Sequence, residues 1–433
     1  MMKQSTQEQD QPLIHVPKRK RTICFLILYG LFVIDFISRV GINAIFPVIQ
    51  ADLQLTDTQV GMMGSVVLLG MAVFVLPISF LGEKYSPKKG ISLSALIWSI
   101  GTLLSGMASS FGVLLASRFF VGTGNSAYAP LSNSLITSMY SKKDWGKKIG
   151  IYNTAMTFGM ALGAIVFANL ADQWGWRMAF YAVGFISLAL TLASLTLPDP
   201  KKLMAKQCDE QDDAPVHKQI DTSLKSAFLV IGKNRSLLGV CLGAGFMSMA
   251  LQGVLSWLSI YFVREMNLQL SLAATLISVL ALISAFGYPL GGTIMDKWYQ
   301  YDKRARVYLP AICVSLATIS FLAGFQLQLI PLIFLGGFCL TTANTAYHVA
   351  TQELVPSWFK SVSYGVYVLF IQFFGACGPL LLGTLSTAFG LTKALLMIQI
   401  FTAAAVVVFL LISLVYIKDY EKARALEQEE NYC

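Results

Sequence analysis

Long apolar runs alternate with short polar breaks along this chain. A helix crossing a bilayer needs about 20 apolar residues, and more when it is tilted. Reading the runs between breakers predicts twelve such helices, over 22–49, 59–81, 90–109, 111–139, 147–171, 176–198, 236–263, 270–295, 307–326, 328–355, 361–389 and 391–417. The one long gap, about 199–235, is polar and charged ("DPKKLMAKQCDEQDDAPVHKQ"). The pattern divides the chain into an N-terminal tail at 1–21, a bundle at 22–198, a linker at 199–235, a second bundle at 236–417 and a C-terminal tail at 418–433. The expected fold is an all-α membrane protein with twelve transmembrane helices in two pseudo-symmetric six-helix bundles.

Composition agrees with that pattern. The 433 residues are 55% hydrophobic and only 13% charged, against about 25% charged in a typical soluble domain. The first apolar run is too long for a signal-peptide core and lacks a small-residue cleavage site, so it is expected to remain as the first span. The net charge of +9 would suggest nucleic acid in a soluble protein, but here the basic residues sit in short loops. With the N-terminus inside, 27 Lys and Arg fall on the inner side and 3 outside. That bias orients the chain with both termini cytoplasmic. Compact loops and short tails suggest a bacterial inner membrane. No nucleic-acid partner is expected, and the chain is read as a monomer in the lipid bilayer.

Soluble chemistry finds little support. The seven cysteines have neither metal-ligand nor redox spacing, and His15, His217 and His348 are far apart. There is no phosphate-cradling loop of the G-x-x-x-x-G-K-S/T type. No cofactor, metal or enzymatic activity is expected.

The two halves resemble each other. Glu83 in "FLGEKYSPKK" and Asp296 in "GGTIMDKWYQYDKR" are 213 residues apart, as are Trp145 and Trp358. "LQLT" at Leu53 and "LQLS" at Leu268 are 215 apart. Three matches near one offset point to a duplicated six-helix unit, as in transporters built from parallel repeats.

Twelve helices in two similar halves, with a charged inner loop after the second helix of each, resembles the major facilitator superfamily. The family's loop reads approximately G-x-x-x-D-R-x-G-R-R/K. In "SFLGEKYSPKK", Glu83 stands for the acid and Lys84 and Lys88 for bases, while Ser79 and Ser86 replace the glycines. In the second copy Gly292, Asp296 and Lys297 align. The resemblance implies a conformational latch at Glu83, Lys84, Lys88, Asp296 and Lys297; the plainer alternative is a pair of ordinary inner loops. "RFFVGTGNSAYAPLSNS" resembles the family's fourth helix through Arg118, Gly122, Gly124, Ala127 and Pro130. Asn125 stands where many organic-anion symporters and Spinster-like members carry Glu. Asp35, Ser38 and Arg39 fill the places of their N-x-x-D-R pattern.

Charges inside apolar helices are costly and default to functional candidates. Asp35 and Arg39 are spaced i, i+4 on one helix and are expected to pair. Arg118, on the fourth helix, is expected at similar depth. The trio suits an anionic substrate, because guanidinium matches carboxylate or phosphate bidentately. Asp35 is the candidate proton carrier: burial opposes its charge and the arginines favour it, so a changed distance between them would load or release a proton. A static Asp–Arg tie is the structural alternative. Asn125, Tyr128 and Asn153 in the first half are candidate substrate contacts. Gln252, Trp257, Asn344, Tyr347, His348 and Gln372 are the candidates in the second; Asn344 and Gln372 are also readable as helix glue, and His348 as a satisfied hydrogen-bonder. The function read from all this is secondary active transport, by alternating access, of a small organic anion or zwitterion, with proton-coupled import. Export or flipping of an amphiphile, such as a lysolipid, drug or siderophore, stays open as the alternative.

Overall fold

The structure is a computed structural model. It describes residues 14, 16–200, 203, 234–356 and 360–431. His15, Trp358, most of the 199–235 segment, and the side chains of Glu83 and Lys84 lie outside the described set.

Among the described residues every regular element is helical. In chain order these are α1 Lys18–Ala44, α2 Phe46–Asp52, α3 Asp57–Tyr85, α4 Pro87–Gly106, α5 Phe111–Asn125, α6 Tyr128–Met139, α7 Lys142–Trp174 and α8 Trp176–Ser194. After the charged gap come α9 Arg235–Arg264, α10 Leu270–Ala285, α11 Gly287–Tyr299, α12 Ala305–Gln326, α13 Ile330–Glu353, α14 Lys360–Phe389, α15 Leu391–Met397, α16 Gln399–Ser413 and α17 Tyr416–Asn431. Ten helical stretches among the described residues are long and apolar enough to cross a membrane. Two expected segments do not fall among them. The 90–109 run forms α4, which is rich in serine, and 111–139 breaks into α5 and α6, of 15 and 12 residues.

Three of the breaks come just ahead of a proline, while the one at Ile398 has none nearby. The runs at 22–49, 111–139 and 270–295 each interrupt just ahead of Pro47, Pro130 and Pro289. Proline lacks the N–H that would close the preceding turn, and its ring crowds the carbonyl four residues back. Two helix starts are capped by side chains: Ser86 accepts from Lys89 N at 3.4 Å and Asn234 from Leu237 N at 2.9 Å. Thr56 and Gln59 form a reciprocal capping box at the start of α3.

Backbone conformation repeats along the chain. Left-handed residues occur at Gln54 and Asn267, 213 positions apart, and at Gly175 and Gly390, 215 apart. These are the offsets of the sequence repeats, and they mark equivalent turns.

The chain forms two compact units. One holds the described residues up to Gln54 and those from Val66 to 203; the other holds Leu55–Ser65 and the described residues from 234 onward. In the first unit α1 packs on α7, and α4 on α5 and α8. A Cβ on Gly159 would lie 2.5 Å from Phe36 Cβ and 2.7 Å from Val33 O, so only glycine admits α1 this closely. Hydroxyls join α4 to α8: Ser92 with Ser194 at 2.8 Å, Ser99 with Ser187 at 2.6 Å, and Trp98 Nε1 donating to Ser187 at 2.7 Å. In the second unit α9 packs on α14, and α12 on α13 and α16.

Outside the spans, Asp52 accepts from Trp176 Nε1 and Arg177 Nη1, each at 2.9 Å. The Trp176 hydrogen bond, then the Arg177 guanidinium, holds its carboxyl below the ordinary carboxylate value. A lowered folded-state pKa gives stability that is complete above the unfolded-state value and lost as pH falls through the folded one. Asp52→Asn should therefore melt earlier than wild type at neutral pH. The gap should close as pH falls below about 4, read by thermal unfolding across pH.

Candidate functional site

The first unit gathers buried polar side chains, some with atoms that find no hydrogen-bond partner among the described residues. Asp35 lies in α1, Arg118 and Asn125 in α5, Tyr128 and Ser132 in α6, and Tyr152 in α7. The exposures of Asp35, Arg118 and Asn125 are 3%, 0% and 4%. Arg118 Nη2 donates to Ser38 O at 3.1 Å, tying α5 to α1. Among the described residues its Nε and Nη1 find no hydrogen-bond partner, and neither do Asp35 Oδ1 and both side-chain polar atoms of Asn125. Buried polar groups are ordinarily satisfied, and each orphan carries a desolvation cost of about 1–3 kcal/mol. These groups are carried by neighbouring helices of the first unit.

The expected Asp35–Arg39 pair does not form: among the described residues no ion pair within 4 Å joins Asp35 to either arginine. Arg39 instead lies over the Phe36 ring at 4.1 Å and donates to Met71 Sδ at 3.2 Å. Phe36 on its own helix and Met71 on α3 take up the guanidinium in place of the carboxylate. Asp35 remains within electrostatic reach of Arg39 and Arg118, and of Tyr128 and Tyr152. The three charges thus share one field without neutralising contact.

Other first-unit candidates have structural occupations. Tyr128 is fully buried, donates to Leu28 O at 2.7 Å and meets Trp98 edge-on at 5.0 Å. Its hydroxyl is therefore committed to α1. Tyr152 stacks on Phe32 at 4.6 Å, which fixes its ring, and its hydroxyl lies by Tyr128 and Ser132. Asn153 is exposed. Tyr152, on α7, is fully buried and within electrostatic reach of Asp35.

Within the second unit the candidates divide in the same way. Trp257 is fully buried and donates to Pro379 O at 3.2 Å; Tyr347 donates to Met247 Sδ at 2.9 Å and stacks on Phe409. Both serve packing. Asn344 accepts from Tyr367 at 3.5 Å, and His348 lies against Tyr364 and Tyr367 with ring centroids at 5.6 and 5.1 Å. Asn344, His348, Gln252 and Gln372 are all half-buried.

The expected latch meets a partner that the loop pattern did not single out. Asp296 pairs with Arg306 at 3.4 Å, and Arg306 also grips Glu353, through Nε–Oε2 at 3.1 Å and Nη2–Oε1 at 2.9 Å. The Arg306 guanidinium sits over Tyr299 at 4.2 Å, and Tyr416 OH donates to Glu353. Sequence reading counted Arg306 among inner-loop charges, yet it is 7% exposed. Lys297 is exposed and Lys88 half-buried. Glu83 and Lys84 lie outside the described side chains.

Residues 28–326 match the Major Facilitator Superfamily, and the chain belongs to that family of transporters. Residues 275–431 also match the family described as Transmembrane secretion effector. Among curated relatives, the Probable L-galactonate transporter of Escherichia coli (strain K12) is 24% identical over 80% of this chain and 79% of its own length. The Hexuronate transporter of Bacillus subtilis (strain 168) is 24% identical over 89% of this chain and 93% of its own. Among solved structures, a bacterial homologue of the human lysosomal transporter Spinster, inward-facing and unoccupied, superposes with a TM-score of 0.82 at 22% identity. That match covers 93% of this chain and 99% of the other.

Proposed function

We propose that this protein is a proton-coupled secondary transporter that imports a small organic anion, with hydroxylated sugar acids as the first class to test. The observation that carries the reading is Arg118: fully buried, with Nε and Nη1 lacking acceptors among the described residues, as Asp35 Oδ1 on α1 lacks a donor. A carboxylate supplies the missing acceptors. Substrate hydroxyls can give and take hydrogen bonds at Asn125 and Tyr152. The curated relatives, named for galactonate and hexuronate, support that substrate class. In this reading the chain crosses a bacterial inner membrane twelve times in two six-helix bundles, works by alternating access, and keeps both termini cytoplasmic.

Asp35 is the proton carrier. With both arginines near, proton loading changes the net charge of the site by one unit and so its affinity for an anion. Asp35→Asn should abolish concentrative uptake of galactonate or glucuronate into proteoliposomes under an inward proton gradient, while exchange of labelled for unlabelled substrate persists. Concentrative uptake at the wild-type rate in the variant would overturn the role. A second reading, export of an amphiphile, draws on the match of 275–431 to the secretion-effector family. It predicts that amphiphiles, and not sugar acids, are moved in the same vesicles.

A further inference from the structure

Three hydroxyl-bearing side chains of the first unit are fully buried together: Tyr128 and Ser132 on α6, and Tyr152 on α7. Tyr128 and Ser132 are spaced i, i+4 and share one face of α6. The Tyr152 hydroxyl lies by both, and both tyrosines are within electrostatic reach of Asp35 on α1. The charged groups around Asp35 are Arg39 on its own helix and Arg118 on α5. The Tyr152 ring stacks on Phe32 with 4.6 Å between centroids and 3° between planes. Phe32 precedes Asp35 by three residues, so the stacked ring and the carboxyl occupy one stripe of α1. Stacking pins the ring and leaves the O–H bond to rotate.

The hydroxyl protons of this cluster have few places to go. Tyr128 donates its proton to Leu28 O at 2.7 Å, so its oxygen is left only to accept. Tyr152 can therefore direct its own proton to the Tyr128 and Ser132 oxygens or to the Asp35 carboxylate. An ionised carboxylate accepts about twice as strongly as a neutral oxygen. A protonated carboxyl carries a proton to donate and accepts weakly. The best partner of the Tyr152 hydroxyl thus changes with the charge of Asp35.

We infer that Tyr152 is a positioning residue for the proton carrier, its hydroxyl turning to Asp35 when the carboxyl is ionised and back to the α6 hydroxyls when it is protonated. The role rests on the proton-carrier reading of Asp35. Difference infrared spectroscopy of the full chain in detergent follows the protonated-carboxyl stretch that Asp35→Asn removes. Tyr152→Phe keeps the stacked ring and loses the donor. Loss of a hydrogen bond to the charged form favours the protonated one. The band should therefore persist to higher pH by about one unit, tenfold in the ionisation equilibrium. Tyr128→Phe removes the competing acceptor and the bond to Leu28 O. It should melt earlier than wild type and leave the band in place or move it to lower pH. A band unmoved in Tyr152→Phe overturns the role, and so does an equal upward move in Tyr128→Phe, which would mark a general loss of packing. In proteoliposomes Tyr152→Phe should move the pH profile of proton-driven galactonate uptake by the same unit, and an unmoved profile overturns the role in coupling. If wild type moves no galactonate, the proposed function fails and the infrared titration alone decides the role of Tyr152. If Asp35→Asn removes no titrating band, Asp35 loads no proton and both readings fall.

Discussion

Replacing Arg118 with Gln should abolish anion binding and leave the ligand-free protein as stable as before, or slightly more so. Both halves of that expectation come from one geometry. Among the described residues, Nη2 alone of the three guanidinium nitrogens has a hydrogen-bond partner, the carbonyl of Ser38. A buried cation so poorly satisfied is a stability cost, and removing such groups is often neutral or stabilising. Truncating one partner of a buried, hydrogen-bonded charge pair in a complex instead costs about 2–5 kcal/mol, which is roughly thirtyfold to several-thousandfold in affinity. The measurement is thermal unfolding with and without galactonate. Wild type should gain stability by mass action, about 2.7 kcal/mol at a hundred times Kd. Arg118→Gln should start no lower and gain nothing. A variant that melts far below wild type without ligand would make Arg118 a structural tie, and the anion reading would lose its support.

Much of this site was legible in the sequence, and the part that was not depends on distant partners. Asp35 and Arg118 stand out because charge within an apolar run is costly wherever the helix goes. Their neighbours cannot be read that way. Spacing of four residues suggested that Arg39 pairs with Asp35; the ring of Phe36 and the sulfur of Met71 took the guanidinium instead. Tyr128, Trp257 and Tyr347 look the same in sequence as Tyr152, yet each has its polar tip occupied by a group some 100 residues away or more. The apolar runs located the helices well, because burial and hydrogen bonding of the backbone are local demands. Where a run breaks is also local when proline follows, as at Pro47, Pro130 and Pro289. The division of α3 between units has no local cause, and only the placement of Arg264 and Ser386 beside Asp57 reveals it.

Arg306 makes the opposite case to Arg118, and the contrast separates structure from function. All three of its guanidinium nitrogens have carboxylate acceptors, Glu353 at two and Asp296 at the third, and its face rests on Tyr299. Glu353 is 17% exposed, so it has little water to turn to. Removing one member of a buried pair leaves the other charge uncompensated, at a cost of about 3–5 kcal/mol. Arg306→Ala should therefore unfold at a markedly lower temperature, or, where unfolding is irreversible, lose its native form several times faster at a fixed temperature. Glu353→Ala should do the same for the mirror reason. The double variant should be hurt less than the two single losses added, because neither charge is then stranded. Asp296 is 71% exposed, and an exposed partner contributes at most about 1 kcal/mol, so Asp296→Asn should be nearly silent in stability. If Arg306→Ala melts like wild type, the Arg306–Glu353 pair is not a stabilising element. Two buried arginines in one chain then give opposite signatures, one lowering the melting temperature when removed and the other erasing only the response to an anion. Finding the signatures exchanged would move the functional site from the first unit to the inner end of α13.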